Sequence, residues 1–314
     1  MKVAVLIPCH NEEQAIAPVV RAFRTALPDA DLYVYDNAST DRTAEIAAAA
    51  GAIVRREPLK GKGNVVRRMF ADVEADIYVL TDGDDTYHAP SAPAMVARLL
   101  DDNLDMVVAR RRAAAKDDAY RMGHLFGNRL LTGTVAMIFG RRLDDMLSGY
   151  RVFSRRFVKS FAAISSGFET ETEMTVHALA LRLPVAEIDT PYGSRPEGSE
   201  SKLRTVHDGF RILLTILNLF RGERPLAFFS LLFALLAALS IVLAIPVVIA
   251  FIETGQVLRF PTAILSTGLM LLAFLSLASG FILDAVTAAR REAKRLNYLM
   301  HESPVESSRR RGTD

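Results

Sequence analysis

The sequence predicts an α/β fold: a doubly wound, mostly parallel sheet, followed by an interfacial amphipathic helix and a two-helix transmembrane hairpin. Three observations predict it. Short apolar runs alternate with helix-period segments through roughly the first hundred residues, the pattern of strand and crossover helix. Two runs without a charged residue, 226–252 and 260–283, each exceed the ~20 residues that cross a bilayer. The acidic tetrad Asp82-Gly83-Asp84-Asp85 directly follows the apolar run 77–81. Carboxylates crowded at the C-terminal end of a buried strand are costly unless a positive group joins them, and open α/β sheets bind their ligands at that edge. A hard divalent cation shared with a diphosphate meets the need, because Mg²⁺ takes one or two carboxylates plus substrate phosphates.

In chain order, residues 3–7 form the first strand and 12–27 the first helix, with Asn11 as its N-cap. Residues 32–35 form a strand ending at Asp36; 41–50 a helix stopped by Gly51; 53–55 a short strand; and 64–73 a helix after Gly61 and Gly63. Residues 77–81 form the strand before the tetrad, 91–100 a helix, and 105–109 a strand. Arg110, Arg111, Arg112 and Lys116 then read as a basic loop leading into a helix over 123–139. Strands follow at 147–153 and 185–190, and a helix at 168–183. Leu203, Val206, Phe210, Leu213, Leu214, Leu217 and Phe220 recur at helical spacing on one face; with Arg204, His207, Arg211 and Arg221 they predict an interfacial helix before the first span. The domains expected are thus 1–202, the sheet domain; 203–224, the juxtamembrane helix; 225–286, the two spans; and 287–314, a basic tail, polar and disordered from Ser303 on.

The chain has 314 residues, half of them hydrophobic, and a formal net charge of +2. Cys9 is the only cysteine, so an intrachain disulfide is excluded, and it reads as a small buried residue rather than a nucleophile. The apolar part of the N-terminus is too short for a signal peptide. Arg259 is the one cation in the linker between the spans, whereas Arg290, Arg291, Lys294, Arg295, Arg309, Arg310 and Arg311 follow them. The positive-inside rule therefore places the sheet domain and the C-terminus in the cytoplasm, of a multi-pass protein of the inner or plasma membrane.

No G-x-G-x-x-G follows the first strand, and Gly61-Lys62-Gly63 lacks the spacing of a Walker A loop, so neither dinucleotide redox chemistry nor P-loop ATPase chemistry is supported. Instead the loops His10-Asn11-Glu12, Asp36 to Asp41 and the tetrad converge on one sheet edge as a nucleotide-sized polar cleft. There Asp36 is placed to accept from a base or ribose, and Asp82 and Asp84 to hold a cation. The scattered histidines suggest no metal site.

Ile7-Pro8-Cys9-His10-Asn11-Glu12, Asp36 to Asp41 and Asp82-Gly83-Asp84 resemble the inverting GT-A glycosyltransferases of family 2. Ser148-Gly149-Tyr150-Arg151-Val152-Phe153, the stretch from Arg195 to Lys202, and the membrane hairpin are similar to the polyisoprenyl-phosphate glycosyltransferases, which include dolichyl-phosphate mannose synthase and the bacterial undecaprenyl-phosphate enzymes. The resemblance implies a nucleotide-diphosphate sugar donor, a polyprenyl phosphate acceptor, Mg²⁺ or Mn²⁺ on Asp82 and Asp84, and inversion at C1. It puts Pro8, His10, Glu12, Asp36, Lys62, Asp82 and Gly83 on the donor side. It puts Arg110, Arg111, Arg151, Arg195 and Lys202 on the acceptor phosphate, with Asp84, Arg110, Arg151 and Lys202 as the catalytic set. Glu169 or Glu171 is a candidate contact for the donor sugar or an acceptor-side arginine. Asp85-Thr86-Tyr87-His88 departs from the mannose synthase pattern, which favours UDP-glucose or UDP-N-acetylglucosamine over GDP-mannose. Family members often assemble through the hairpin and tail, so a lipid bilayer and a homo-oligomeric partner are expected and a nucleic acid is not. A processive synthase of the cellulose type is disfavoured because the chain has no tryptophan for a Q-x-x-R-W motif. A non-catalytic membrane assembly partner is disfavoured by the intact sheet-edge carboxylates.

Overall fold

Seven strands form one sheet in the computed structural model of the chain, which describes residues 1–113, 133, 135–136, 139–140, 143–162, 169–193 and 217–306. Two units are present, Met1–Phe210 with Ala293–Asp314, and Arg211–Glu292. In the first unit the strands are β1 (Val3–Cys9), β2 (Asp31–Asp36), β3 (Ile53–Arg56), β4 (Ile77–Leu80), β5 (Met106–Ala113), β6 (Arg151–Ser154) and β7 (Val185–Tyr192). Their order is β3-β2-β1-β4-β6-β5-β7. β6 runs antiparallel to β4 and β5, and every other pair is parallel.

β1 and β4 are buried on both faces, which is why they read as continuous apolar runs rather than alternating ones. Val5, Ile7, Ile77, Val79, Val107 and Val152 share one face with Ile16, Val19 and Phe23 of α1 (Ile16–Ala26) and Met95 and Leu99 of α4 (Ala92–Asp101). Helices α3 (Lys62–Asp72), α5 (Arg155–Ser160) and α6 (Thr170–Ala180) cover the other face, where Phe70 meets Tyr78 and Phe153 edge-on. The short α2 (Thr43–Ala49) follows β2.

Three expectations need correction. Asn11 is not the cap of α1: the helix begins at Ile16 behind Ala15, whose side chain makes no cap bond. Asn11 sits at φ 54, a left-handed conformation that asparagine tolerates, and its Oδ1 accepts from the Thr40 amide at 2.8 Å. Arg110, Arg111 and Arg112 are not a loop but the end of β5, laddered in parallel on Asp189, Thr190 and Pro191 of β7. A parallel partner satisfies their backbone, and the pleat sends alternate arginines to opposite faces. The tail keeps its structure from Ser303 to Glu306, where the Ser303 amide donates to Glu306 Oε2 at 3.4 Å beside the buried Pro304; 307–314 lie outside the described residues. Most of the helix expected at 123–139 and most of the interfacial helix lie outside the described residues; positions 133, 135, 136, 139 and 217–223 are helical.

The second unit holds α7 (Pro225–Thr254) and most of α8 (Phe260–Leu299), both long and apolar enough to cross a membrane. Small residues seven apart on α8, Ser266, Ala273 and Gly280, are buried against α7. Ser240 Oγ donates to the Ser266 carbonyl at 2.7 Å, and a Cβ on Gly280 would stand 2.9 Å from Phe229. Close backbone approach through small residues is how helices associate in lipid.

Candidate functional site

Parallel pairing brings the C-terminal ends of β1, β2, β4, β5 and β7 to one edge, and the reversed β6 delivers the turn before Arg151 to the same edge. Sheet order reverses at β1 and β4, the switch point where such sheets open a crevice. Five polar segments meet there.

The first two are stitched together. Cys9 O accepts from the Asn37 amide at 2.8 Å, and His10 Nδ1 lies 2.8 Å from Asn37 O. Thr43 Oγ1 accepts from the Glu12 amide at 2.8 Å and donates to Asp41. Asp36 is buried and its Oδ1 accepts from the Ser39 amide at 3.2 Å. The buried Asn37 donates to Glu57 O and Leu59 O and accepts from the Gly61 amide at 2.7 Å. It thereby fixes the start of α3. Gly61 stands at φ 124, a conformation a side chain would strain, and Lys62 follows as the first residue of the helix.

Lys62 is the centre of the site. Its Nζ lies 2.5 Å from Asp82 Oδ1 and 2.5 Å from Glu171 Oε1, on the loop after β4 and the first turn of α6. Its side chain is only 10% exposed and that of Glu171 only 4%. Burial by itself disfavours the ammonium, but Asp82 and Glu171 outweigh it and hold the pKa well above that of an ordinary lysine. Glu171 Oε2 is buried without a hydrogen-bond partner among the described residues. Gly149 closes the site from the β6 side: a Cβ there would fall 2.7 Å from Asp82 Oδ2 and 2.9 Å from Lys62 Nζ. Its amide donates to the buried Tyr87 hydroxyl at 2.8 Å. Gly83 is as constrained, since a Cβ would run into Cys9 Sγ.

The edge is strongly negative. Burial raises the Cys9 thiol well above its usual pKa, and Glu12, Asp82, Asp36 and Asp84 raise it further. Asp84 is 5% exposed, and its Oδ1 accepts from the Thr86 hydroxyl at 2.6 Å. Among the described residues no three His, Cys, Asp or Glu side chains gather as a complete metal cage. Two hard carboxylates with an incomplete shell fit a cation that brings its remaining ligands from a bound phosphate.

The basic half is already paired. Arg110 and Arg112 emerge on one face of β5 and both reach Asp189 of β7; Arg110 also meets Asp144 at 2.7 Å. Arg111, on the opposite face, grips Asp145 through two nitrogens at 2.7 and 2.8 Å and lies over the Tyr192 ring. Arg151 is fully buried. Its Nε donates to Ser148 O at 2.8 Å, one terminal nitrogen to Thr175 Oγ1 at 2.9 Å, and the other to Met146 O at 2.5 Å. Burial pulls its pKa down to about 10, Glu171 and Asp145 opposing, so it stays charged at neutral pH.

Of the residues expected at the site, Pro8, His10, Glu12, Asp36, Lys62, Asp82, Gly83 and Asp84 fall on this edge, and Arg110 and Arg111 stand at the neighbouring strand end. Arg151 faces the protein interior, holding the turn that carries Gly149. Arg195 and Lys202 lie outside the described residues. Asn37 and Tyr87 lay in segments the sequence singled out but carried no role of their own there, and Asp144, Asp145 and Asp189 escaped the sequence reading. The doublet Asp144-Asp145, three residues before Ser148, was their one visible signal. Asp85-Thr86-Tyr87-His88 is held by an isolated bridge from Tyr87 to Tyr192 and by the Gly193 amide on Thr86 O at 2.9 Å.

Residues 4–161 match the model of Glycosyl transferase family 2. An uncharacterized protein of Shigella flexneri is 55% identical over 158 residues, which are 50% of this chain and 97% of that one. A dolichyl-phosphate hexose transferase of Haloferax volcanii is 26% identical over 221 residues, 70% of this chain and 95% of that one. Among solved structures, glucosyl-3-phosphoglycerate synthase from Mycobacterium tuberculosis, crystallised with Mn²⁺, uridine diphosphate and glucosyl-3-phosphoglycerate, superimposes with a TM-score of 0.57 at 24% identity, over 69% of this chain and 79% of that one.

Proposed function

The chain belongs to glycosyl transferase family 2, and on that premise we propose that it moves a hexose from a UDP-sugar, such as UDP-glucose or UDP-N-acetylglucosamine, to a polyprenyl phosphate with inversion at C1. One observation carries this reading: the same chain holds an acidic, cation-ready sheet edge and two helices apolar enough to cross a membrane. A nucleotide sugar suits the first and a lipid-borne acceptor the second. The similarity to a dolichyl-phosphate hexose transferase supports the acceptor, and the uridine diphosphate and Mn²⁺ held by the similar fold support the donor. Both chain ends face the cytoplasm in this reading, as the lysine and arginine distribution directs.

In the reaction an oxygen of the acceptor phosphate forms the new bond to C1. The bond from C1 to the donor diphosphate breaks on the opposite face, and its electron pair leaves with the nucleoside diphosphate. The attacking oxygen is already an anion at neutral pH, so no side chain has to remove a proton. The protein's work is positioning and charge stabilisation. Asp36 and the stitched 37–41 loop receive the nucleoside. Asp82 and Asp84 would hold the cation. Bound Mg²⁺ or Mn²⁺ neutralises the leaving diphosphate. Arg110 and Arg111, with Arg195 and Lys202, meet the acceptor phosphate, for which planar guanidinium groups suit two-point recognition. Arg151 keeps Gly149 against Asp82.

The test is transfer of radiolabel from a panel of nucleotide sugars to undecaprenyl or dolichyl phosphate in membranes carrying the chain. The expected product is organic-soluble label, abolished by chelation and richest with a UDP-hexose. Preference for GDP-mannose would overturn the donor assignment. Absence of chelator-sensitive transfer with every donor would overturn the whole reading.

A further inference from the structure

Asp82 is the hydrogen-bond partner of Lys62 through Oδ1 and, in the function proposed above, a ligand of the cation, so the ammonium and the cation compete for the charge of one carboxylate. Lys62 is not held by Asp82 alone. Glu171 anchors it from the other side at the same distance, and the second oxygen of that carboxylate is buried and has no hydrogen-bond partner among the described residues. The ammonium therefore has an alternative seat beside Glu171, reached without a change of fold. The three groups come from three separate elements, α3, the loop after β4, and α6, so the triangle is a product of tertiary packing. Gly149 leaves no room for a side chain between Asp82 and the ammonium, which keeps the pair tight.

We infer that Lys62 is a built-in stand-in for the divalent cation, occupying Asp82 while the site is without donor and yielding it only when a nucleotide diphosphate arrives. This inference rests on the cation role assigned to Asp82. Without nucleotide, a metal ion must displace the ammonium from Asp82 and then sit beside it, two positive groups in one poorly hydrated site. With nucleotide, the diphosphate adds negative charge that both cations share, and Lys62 moves onto the diphosphate and Glu171. Cation binding thus becomes dependent on nucleotide. The site does not fill with stray metal, and the donor arrives with its charge matched. Lys62 is in this sense a positioning residue that couples two ligands, and coupling of this kind is reciprocal between them.

The full chain in detergent is titrated with Mn²⁺ by electron paramagnetic resonance, alone and with saturating UDP or GDP. Wild type is expected to bind Mn²⁺ at least about tenfold more tightly with nucleotide, the scale of a typical allosteric coupling. Lys62→Met is expected to tighten nucleotide-free Mn²⁺ binding by about tenfold and to shrink the nucleotide effect below about threefold. Lys62→Arg, which keeps the charge, is expected to retain the nucleotide effect. Glu171→Gln, which leaves Lys62 with Asp82 as its only carboxylate partner among the described residues, is expected to weaken nucleotide-free binding, and it tests the same idea should Lys62→Met not fold. Nucleotide-dependent binding in wild type together with unchanged nucleotide-free binding in Lys62→Met, or in Glu171→Gln where that variant stands in, would overturn the inference. Failure of wild type to bind Mn²⁺ with either nucleotide would overturn the cation role itself, so the two failures are distinguishable.

Discussion

Replacing Arg151 by methionine separates two roles that the sequence alone does not distinguish. The guanidinium is fully buried and spends its nitrogens on Ser148 O, Met146 O and Thr175 Oγ1. Methionine approximates the stem but leaves those three acceptors unpaired and removes the positive neighbour of Glu171. A buried acceptor left without its donor costs about 1–3 kcal/mol. Loss of a buried charged partner costs about 3–5 kcal/mol in total, because removing the desolvated guanidinium itself returns part of the sum. For a domain of this size each kcal/mol lowers Tm by about 2–4 °C. Arg151→Met is therefore expected to melt roughly 10 °C below wild type. The assay is thermal unfolding of the detergent-solubilised chain followed by circular dichroism, paired with steady-state kinetics below the transition. The turn carrying Gly149 loosens beside Asp82, so kcat falls while KM for the polyprenyl phosphate changes little. A Tm within about 3 °C of wild type, with a raised acceptor KM, would refute the argument and return Arg151 to the acceptor phosphate.

Asp84→Asn keeps the shape of the buried side chain and its contact with Thr86 but removes its charge. Cation-dependent transfer is expected to fall by about 10²–10³, the scale of losing one preorganised electrostatic group, while membrane insertion, checked by carbonate extraction, is unchanged. His177 gives a pH signature. Burial, aided by Lys294, pulls its pKa down to about 3, with Nε2 3.0 Å from Ser160 Oγ and the ring edge-on to Phe157 and Phe161. The folded state therefore refuses a proton that the unfolded chain takes up below about pH 6.5. His177 thus favours folding fully above that pH, and the contribution declines by up to about 1.4 kcal/mol per pH unit as pH falls toward 3. Denaturant titrations of wild type and His177→Gln between pH 7 and 4.5 check this; parallel stability curves for the two would refute it.

Much of the polar sheet edge was legible in the chain. The apolar runs at β1, β2 and β4 could be read because strands buried on both faces carry no alternation, and the loops after them stood out as polar against that background. Helix starts were less legible. Asn11 has the chemistry of a cap, yet its side chain is spent on the Thr40 amide, a partner 29 positions away that no local pattern discloses. The basic run at 110–112 looked like a loop because its charges hide a strand, and only the ladder with β7 and the carboxylate of Asp189 between Arg110 and Arg112 make it one.

By itself the sequence determined the fold class, the two apolar helices and the carboxylates at the sheet edge, because each of these follows from local periodicity or from residue type. The tertiary structure alone decided what those residues face. Lys62, Asp82 and Glu171 are separated by 20 and 89 positions, and the parallel sheet together with α6 closes that separation to hydrogen-bond distance. Arg151 was turned from the ligand edge into the interior because β6 runs antiparallel between β4 and β5, and the pleat points its side chain at Thr175 of α6. Charge and polarity are written one residue at a time, but whether a charge meets a ligand, a counter-ion or a carbonyl depends on strand direction and on which helix covers which face.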